Sequence, residues 1–98
     1  MAHSLKSATF LIESRIADAA RGDCNACYDL GIIYSTGASG TTIDLIEAHK
    51  WFNLAAVWGS EAAQACRSDI AEDMTAREIA EAQRQARAWI VQTGRRAA

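Results

Sequence analysis

Cys24-Asn25-Ala26-Cys27 is the stretch of this 98-residue chain whose residue types and spacing most directly suggest chemistry. Two thiols one helical turn apart at the start of a helix can act in disulfide exchange, because the helix N-terminus lowers a thiol pKa. That chemistry belongs to a βαβ context, and no alternating strand pattern is visible here. With Cys66, His49 or His3 as further ligands the pair could hold zinc, but none of the three stands at a motif spacing. Three cysteines make an odd total, which fits reduced thiols better than a disulfide framework. At inward helix positions Cys27 and Cys66 read as small hydrophobes. A thiol-dependent redox or zinc protein using Cys24 and Cys27 is therefore an alternative reading, and no metal or other cofactor is expected.

The other reactive types are less organised. His49, beside Lys50, reads as a solvated side chain at the edge of an apolar arc, with no nucleophile or carboxylate at a recognisable spacing. Gly37 and Gly40 lack the following Lys-Ser/Thr that a phosphate-binding loop needs. Trp51, Trp58 and Trp89 read as core or interface anchors rather than a ligand cage. Arg84, Arg87, Arg95 and Arg96 are interspersed with Glu78 and Glu81, the pattern of a solvated, ion-paired helix face. No catalytic constellation emerges, so the chain is not expected to be an enzyme. A formal net charge of −2 argues against a dedicated nucleic-acid binder. Phe10-Leu11-Ile12 is the longest apolar run near the start, too short for a signal-peptide core or a membrane span. The expectation is a cytoplasmic protein without membrane contact.

Half the residues are hydrophobic, proline is absent and alanine abounds, which together point to an all-α chain forming one domain, 1–98. The periodicity predicts five helices. The first spans about 4–21, with Leu5, Ala8, Ile12, Ile16 and Ala19 on one stripe, Phe10 on the far side and Gly22 as the stop. Asp23 caps a second, about 24–36, whose inward arc holds Ala26, Cys27, Leu30, Ile33 and Tyr34, with Gly31 beside it for close approach. Residues 37–42 are a loop. The third helix opens at Asp44-x-x-Glu47 and ends at Trp58-Gly59, with Leu45, Ala48, Phe52, Ala55 and Ala56 on one face, widened by Trp51 and Trp58. Ser60 caps a fourth to about Met74, with Ala62, Ala63, Cys66, Ile70 and Met74 inward. Thr75-x-x-Glu78 starts a fifth, stopped at Gly94, with Ile79, Ala82, Ala86, Trp89 and Ile90 inward. The short connections make successive helices antiparallel neighbours.

Gly22 and Gly59 each close an Ala-rich helix, and Ala26 and Ala63 keep the same offset, about 37 residues, within the range of helical solenoids. The stretch Ala26 to Gly59 resembles a Sel1-like repeat of the tetratricopeptide-like superfamily, whose pattern runs A-x-x-x-L-G-x-x-Y-x-x-G, a G-V-P-x-D loop, then A-x-x-W-F/Y-x-x-A-A-x-x-G. The matching residues are Ala26, Leu30, Gly31, Tyr34, Gly37, Gly40, Asp44, Ala48, Trp51, Phe52, Ala55, Ala56 and Gly59. In the loop one residue is inserted and Thr41-Thr42 stand where Val-Pro is usual. The strongest repeat is 23–59, flanked by partial ones, and the resemblance implies an α/α superhelix of about five antiparallel helices.

The same resemblance implies a non-catalytic protein–protein interaction module, an adaptor or regulatory scaffold of bacterial type, binding a protein or peptide on its repeat surface. Carried onto this chain, the partner-binding positions are Asn25, Tyr28, Ile32, Ser35, Gln64 and Ser68. The surface lacks the lysines that clamp a C-terminal carboxylate in chaperone-binding relatives. One full repeat cannot bury its own apolar faces, so a homodimer is expected, with Phe10, Ile46, Val57 and Trp58 as the contacts. A purely self-associating structural unit is the third reading.

Overall fold

A computed structural model describes residues 2–94 of the chain, with side chains from residue 8 onward. Leu5, His3, Arg95 and Arg96 therefore lie outside the described side chains. Among the described residues the chain is all-helical, with no strand: α1 (Ala2–Ala20), α2 (Cys24–Thr36), a short 3-10 turn (Ala38–Gly40), α3 (Leu45–Val57), α4 (Glu61–Ala71) and α5 (Ala76–Thr93).

Each of the later four helices starts at a side-chain cap. Asp23 accepts from the Asn25 and Ala26 amides, Asp44 from Glu47, and Ser60 from Ala63. Thr75 and Glu78 close a reciprocal capping box at 3.1 and 2.8 Å. These bonds satisfy amides that a helix start leaves without partners, which is why polar residues stand there. Gly37 ends α2 in the left-handed region, φ 74°, where its amide returns to the Ile33 carbonyl.

The antiparallel course of α2 and α3 is fixed at both ends. The Asp44 amide bonds the Tyr34 carbonyl at 2.9 Å, and the Cys24 thiol donates to the Ala55 carbonyl at 3.3 Å. Between these points Gly31 faces the Phe52 ring. A Cβ at Gly31 would lie 2.4 Å from Phe52 Cδ1, so the ring occupies the space that a side chain on α2 would need. Trp51, Phe52, Leu30, Leu54 and Cys27 are the largest fully buried side chains.

α3 is the central element. Phe52 meets α2, Trp51 packs edge-on against Trp89 of α5 with ring centroids 4.9 Å apart, and Asn53 accepts from the Arg67 guanidinium of α4. Its buried set, Ala48, His49, Trp51, Phe52, Leu54 and Ala55, therefore exceeds the arc read from the sequence. Leu54 belongs to the core although the apolar pattern did not require it. His49 is a correction: expected in solvent, it is only 3% exposed. Ala62 is a correction in the other direction, exposed on α4 where an inward position was expected. α4 also ends at Ala71, before Met74. α5 lays its length along α3, whereas its backbone comes near α4 only sparsely, so the 72–75 connection does not build a side-by-side hairpin.

Gly31→Ala should destabilise the protein. Overpacking costs about 1–3 kcal/mol, offset in part by about 1 kcal/mol of helix propensity. Urea unfolding should show a lowered midpoint at unchanged slope, and Phe52→Leu in the same chain should recover part of the loss.

Candidate partner-binding cleft

Tyr28, Asp29 and Ile32 of α2, which the repeat pattern leaves free, are half-buried or exposed, and α1 packs beside this helix. Leu11 and Arg15 of α1 with Tyr28, Asp29, Ile32 and Ile33 of α2 line an open cleft of about 550 Å³. α1 reaches this place because Ala8 and Ala19 are buried and let it lie close, while Ile12 and Ile16 pack against the core from their half-buried positions. Leu11 and Arg15 stand on the flank of that stripe, one turn apart, and so border the α2 face.

Tyr28 sets the cleft's far wall. Its ring lies 5.8 Å from the Phe52 ring at 56°, and its hydroxyl touches the Cys66 sulfur of α4 at 4.0 Å. This contact with Cys66 raises the phenol pKa above its ordinary value. Ile32 is half-buried beside it, and its carbonyl accepts from both the Ser35 and Thr36 hydroxyls. The Arg15 guanidinium pairs with Asp18 at 3.1 Å and reaches Asp29 at 4.0 Å across the cleft rim.

Of the six expected partner-binding residues, the structure brings Tyr28 and Ile32 into this cleft. Asn25 is exposed at the start of α2 and Ser35 half-buried near its end, and neither lines the cleft. Gln64 and Ser68 are exposed on α4, apart from it. Leu11, Arg15 and Asp29 were not among the sequence-derived candidates. The helical period put Leu11 and Arg15 off the inward stripe, but nothing in it said which helix that flank would meet. The four expected dimer contacts differ in exposure and stand on α1, on α3 and at its C-terminal end. Phe10 is 75% exposed on α1. Ile46 and Val57 stand at opposite ends of α3, and Trp58 packs against the core.

The thiols are electrostatically quiet. Burial, then the charges of Cys24 and Asp23, push Cys27 up to about 12. Burial and Asp23 also raise Cys24, while a backbone bond involving Ser60 opposes them. Both shifts run against thiolate activation: burial disfavours the anion, and the carboxylate that caps α2 adds to it where a helix N-terminus would otherwise favour a thiolate. All three cysteines are free thiols. Among the described residues no group of three His, Cys, Asp or Glu is placed to hold a metal ion. No helix among them is long and apolar enough to cross a membrane. On α5 the Arg84 and Gln85 side chains bond Glu81 and hold its carboxyl down to about 2.

His49, on α3, has its Nδ1 buried and lacking a hydrogen-bond partner among the described residues. Burial first, and the Arg67 charge second, lower its pKa from the usual value of about 6.5. The folded state therefore resists protonation while the unfolded chain accepts it. Stability should hold above about pH 6.5 and fall as the pH drops through the unfolded and then the folded value. Urea midpoints at pH 7.5 and 5.5 should differ for the wild type, and His49→Gln should shrink that difference.

Comparison with protein-family models, curated proteins and solved structures gives no match to this chain.

Proposed function

We propose that the chain is a non-catalytic interaction module of the Sel1-like, tetratricopeptide-like kind, serving as an adaptor or scaffold. A protein or peptide partner then docks on the cleft between α1 and α2. The observation that carries this reading is the division of labour along α2. Ala26, Cys27, Leu30, Gly31 and Ile33, three of them positions of the repeat pattern, are buried, while Tyr28 and Ile32 form an apolar floor open to solvent. Apolar side chains held rigid beside a groove are the common anchors of peptide recognition. The alternative of thiol or zinc chemistry at Cys24 and Cys27 draws no support from the raised thiol pKa values.

Affinity capture from the source cell, with wild type and Ile32→Ser run in parallel, tests the reading. Loss of an anchor should weaken a directly bound partner by about tenfold or more, with the thermal midpoint measured alongside to exclude unfolding. Capture unchanged in Ile32→Ser and in Tyr28→Ser would place the binding surface elsewhere.

Self-association is the second reading, favoured by large apolar side chains held in solvent, of which two are the most exposed. These are Phe10 on α1 and Val91, 81% exposed, on α5. Val91 lines a further cleft of about 390 Å³ with Arg87, Ile90 and Gly94. If these surfaces serve a homodimer, sedimentation velocity should show a concentration-dependent rise in mass that Phe10→Ser or Val91→Ser abolishes. A monomer across the whole concentration range would end this reading.

A further inference from the structure

A smaller cleft, on helices that take no part in the α1–α2 site, gathers cations and donors. Lys50 of α3 and Arg84, Gln85, Ala88, Trp89 and Gln92 of α5 line about 240 Å³. The α5 residues follow the spacing of one helix face, and the docking of α5 on α3 brings that face to the lysine. Lys50 is a largely buried cation. Its side chain is 14% exposed, its ammonium lies 4.9 Å from the centre of the Trp51 ring, and its carboxylate partner is Glu47. That carboxylate is shared, because the Trp51 indole N–H also donates to it at 3.0 Å. Arg84 spends Nε and Nη2 on Glu81, and its Nη1 makes no hydrogen bond among the described residues. Glu47 and Glu81 hold the two cations, but neither belongs to the lining of the cleft. The lining therefore presents two positive charges and no negative one. Trp89 adds a second, independent observation: its Nε1 is buried and has no acceptor among the described residues. A buried N–H in that state lowers stability unless something supplies an acceptor. Trp51, whose ring packs on Trp89, has its own in Glu47.

We propose that this cleft binds a small molecule bearing an oxyanion, a phosphate or a carboxylate. The anion lies between the Lys50 ammonium and the Arg84 guanidinium and accepts from Nη1. The Trp89 indole N–H is a further donor in the same lining, and Ala88 leaves room for the body of the molecule. Guanidinium and ammonium groups hold such anions by charge-assisted hydrogen bonds, most strongly where the cation is withdrawn from water, as Lys50 is. The volume lies below the roughly 300–1,000 Å³ of clefts that take drug-sized ligands, which suits a small metabolite rather than a peptide segment. The site is independent of the partner-binding cleft between α1 and α2, so either reading can fail without the other.

Nitrogen-15 NMR of the full chain reads the indole N–H signals of its three tryptophans, with that of Trp89 assigned through Trp89→Phe. Titration with inorganic phosphate and, separately, with succinate should move the Trp89 signal along a saturating curve. Sodium chloride at matched ionic strength should not. Arg84→Gln should weaken that binding about tenfold, and Lys50→Met should weaken it as much, with thermal midpoints measured alongside. Arg84 is exposed, so Arg84→Gln decides the matter even if Lys50→Met unfolds the chain. Arg87→Gln removes the same charge from α5 outside this lining and should leave binding unchanged. Saturation with one anion alone supports the proposal and tells phosphate from carboxylate as the group bound. No saturation with either anion overturns it. Binding that Arg84→Gln leaves unchanged, or that Arg87→Gln weakens equally, also overturns it and marks diffuse attraction to a basic helix. A tetraglutamate peptide that moves the signal at lower concentration than both anions overturns it too, since the acid would then come from a partner protein.

Discussion

The approach of α2 to α3 at Gly31 and Phe52 is the contact on which the other positions depend. Without a side chain at Gly31, the Phe52 ring lies directly on the α2 backbone. Ala48 and Ala55, both fully buried on α3, allow the same proximity along the rest of the pair. Close packing here places Cys24 against the Ala55 carbonyl at one end and Asp44 against the Tyr34 carbonyl at the other. It also positions the cleft residue Tyr28, whose ring lies 5.8 Å from that of Phe52. A core contact and a surface contact thus share one aromatic side chain.

The fold was readable because its signals are local. Asp23, Asp44, Ser60 and Thr75 announce helix starts through hydrogen bonds that span three residues or fewer, and each is formed. The inward residues of α2 follow from a period of 3.6. Leu54 and His49 were misjudged because burial on α3 depends on how many helices surround it. α5 docks on α3 rather than along α4, and that adds a side which periodicity cannot show. Ala62 was misplaced for the complementary reason, since α4 has only one well-covered side. The 3-10 turn with Ser39 at φ 58° was likewise not written in a Gly-Ala-Ser-Gly string, whose small residues permit several courses.

The candidate cleft was half legible. Tyr28 and Ile32 stood out as apolar residues off the buried arc, but Leu11 and Arg15 acquire meaning only when α1 lies against them. The thiols illustrate the opposite case, where a motif suggested more than its surroundings allow. Burial first, and after it the charge of the α2 cap Asp23, favour the protonated form of both nearby thiols. The carboxylate that helps the helix to start thus adds to what burial does to the Cys24–Cys27 pair.

α4 has Ala63 as its only fully buried residue. It is held by the Ser60 cap, the Arg67 bond to Asn53 and the touch of Tyr28 on Cys66. Cys66 and Ile70 also pack against the core from half-buried positions, whereas the exposed side chains along the helix contribute little to the free energy of folding. Drift along the exposed positions of α4 can rewrite the charge and shape of that surface while Trp51, Phe52 and Leu54 keep the scaffold unchanged. The molecule separates the residues that make it stable from those that could give it a preference, and a single helix turn can alter the second without reaching the first.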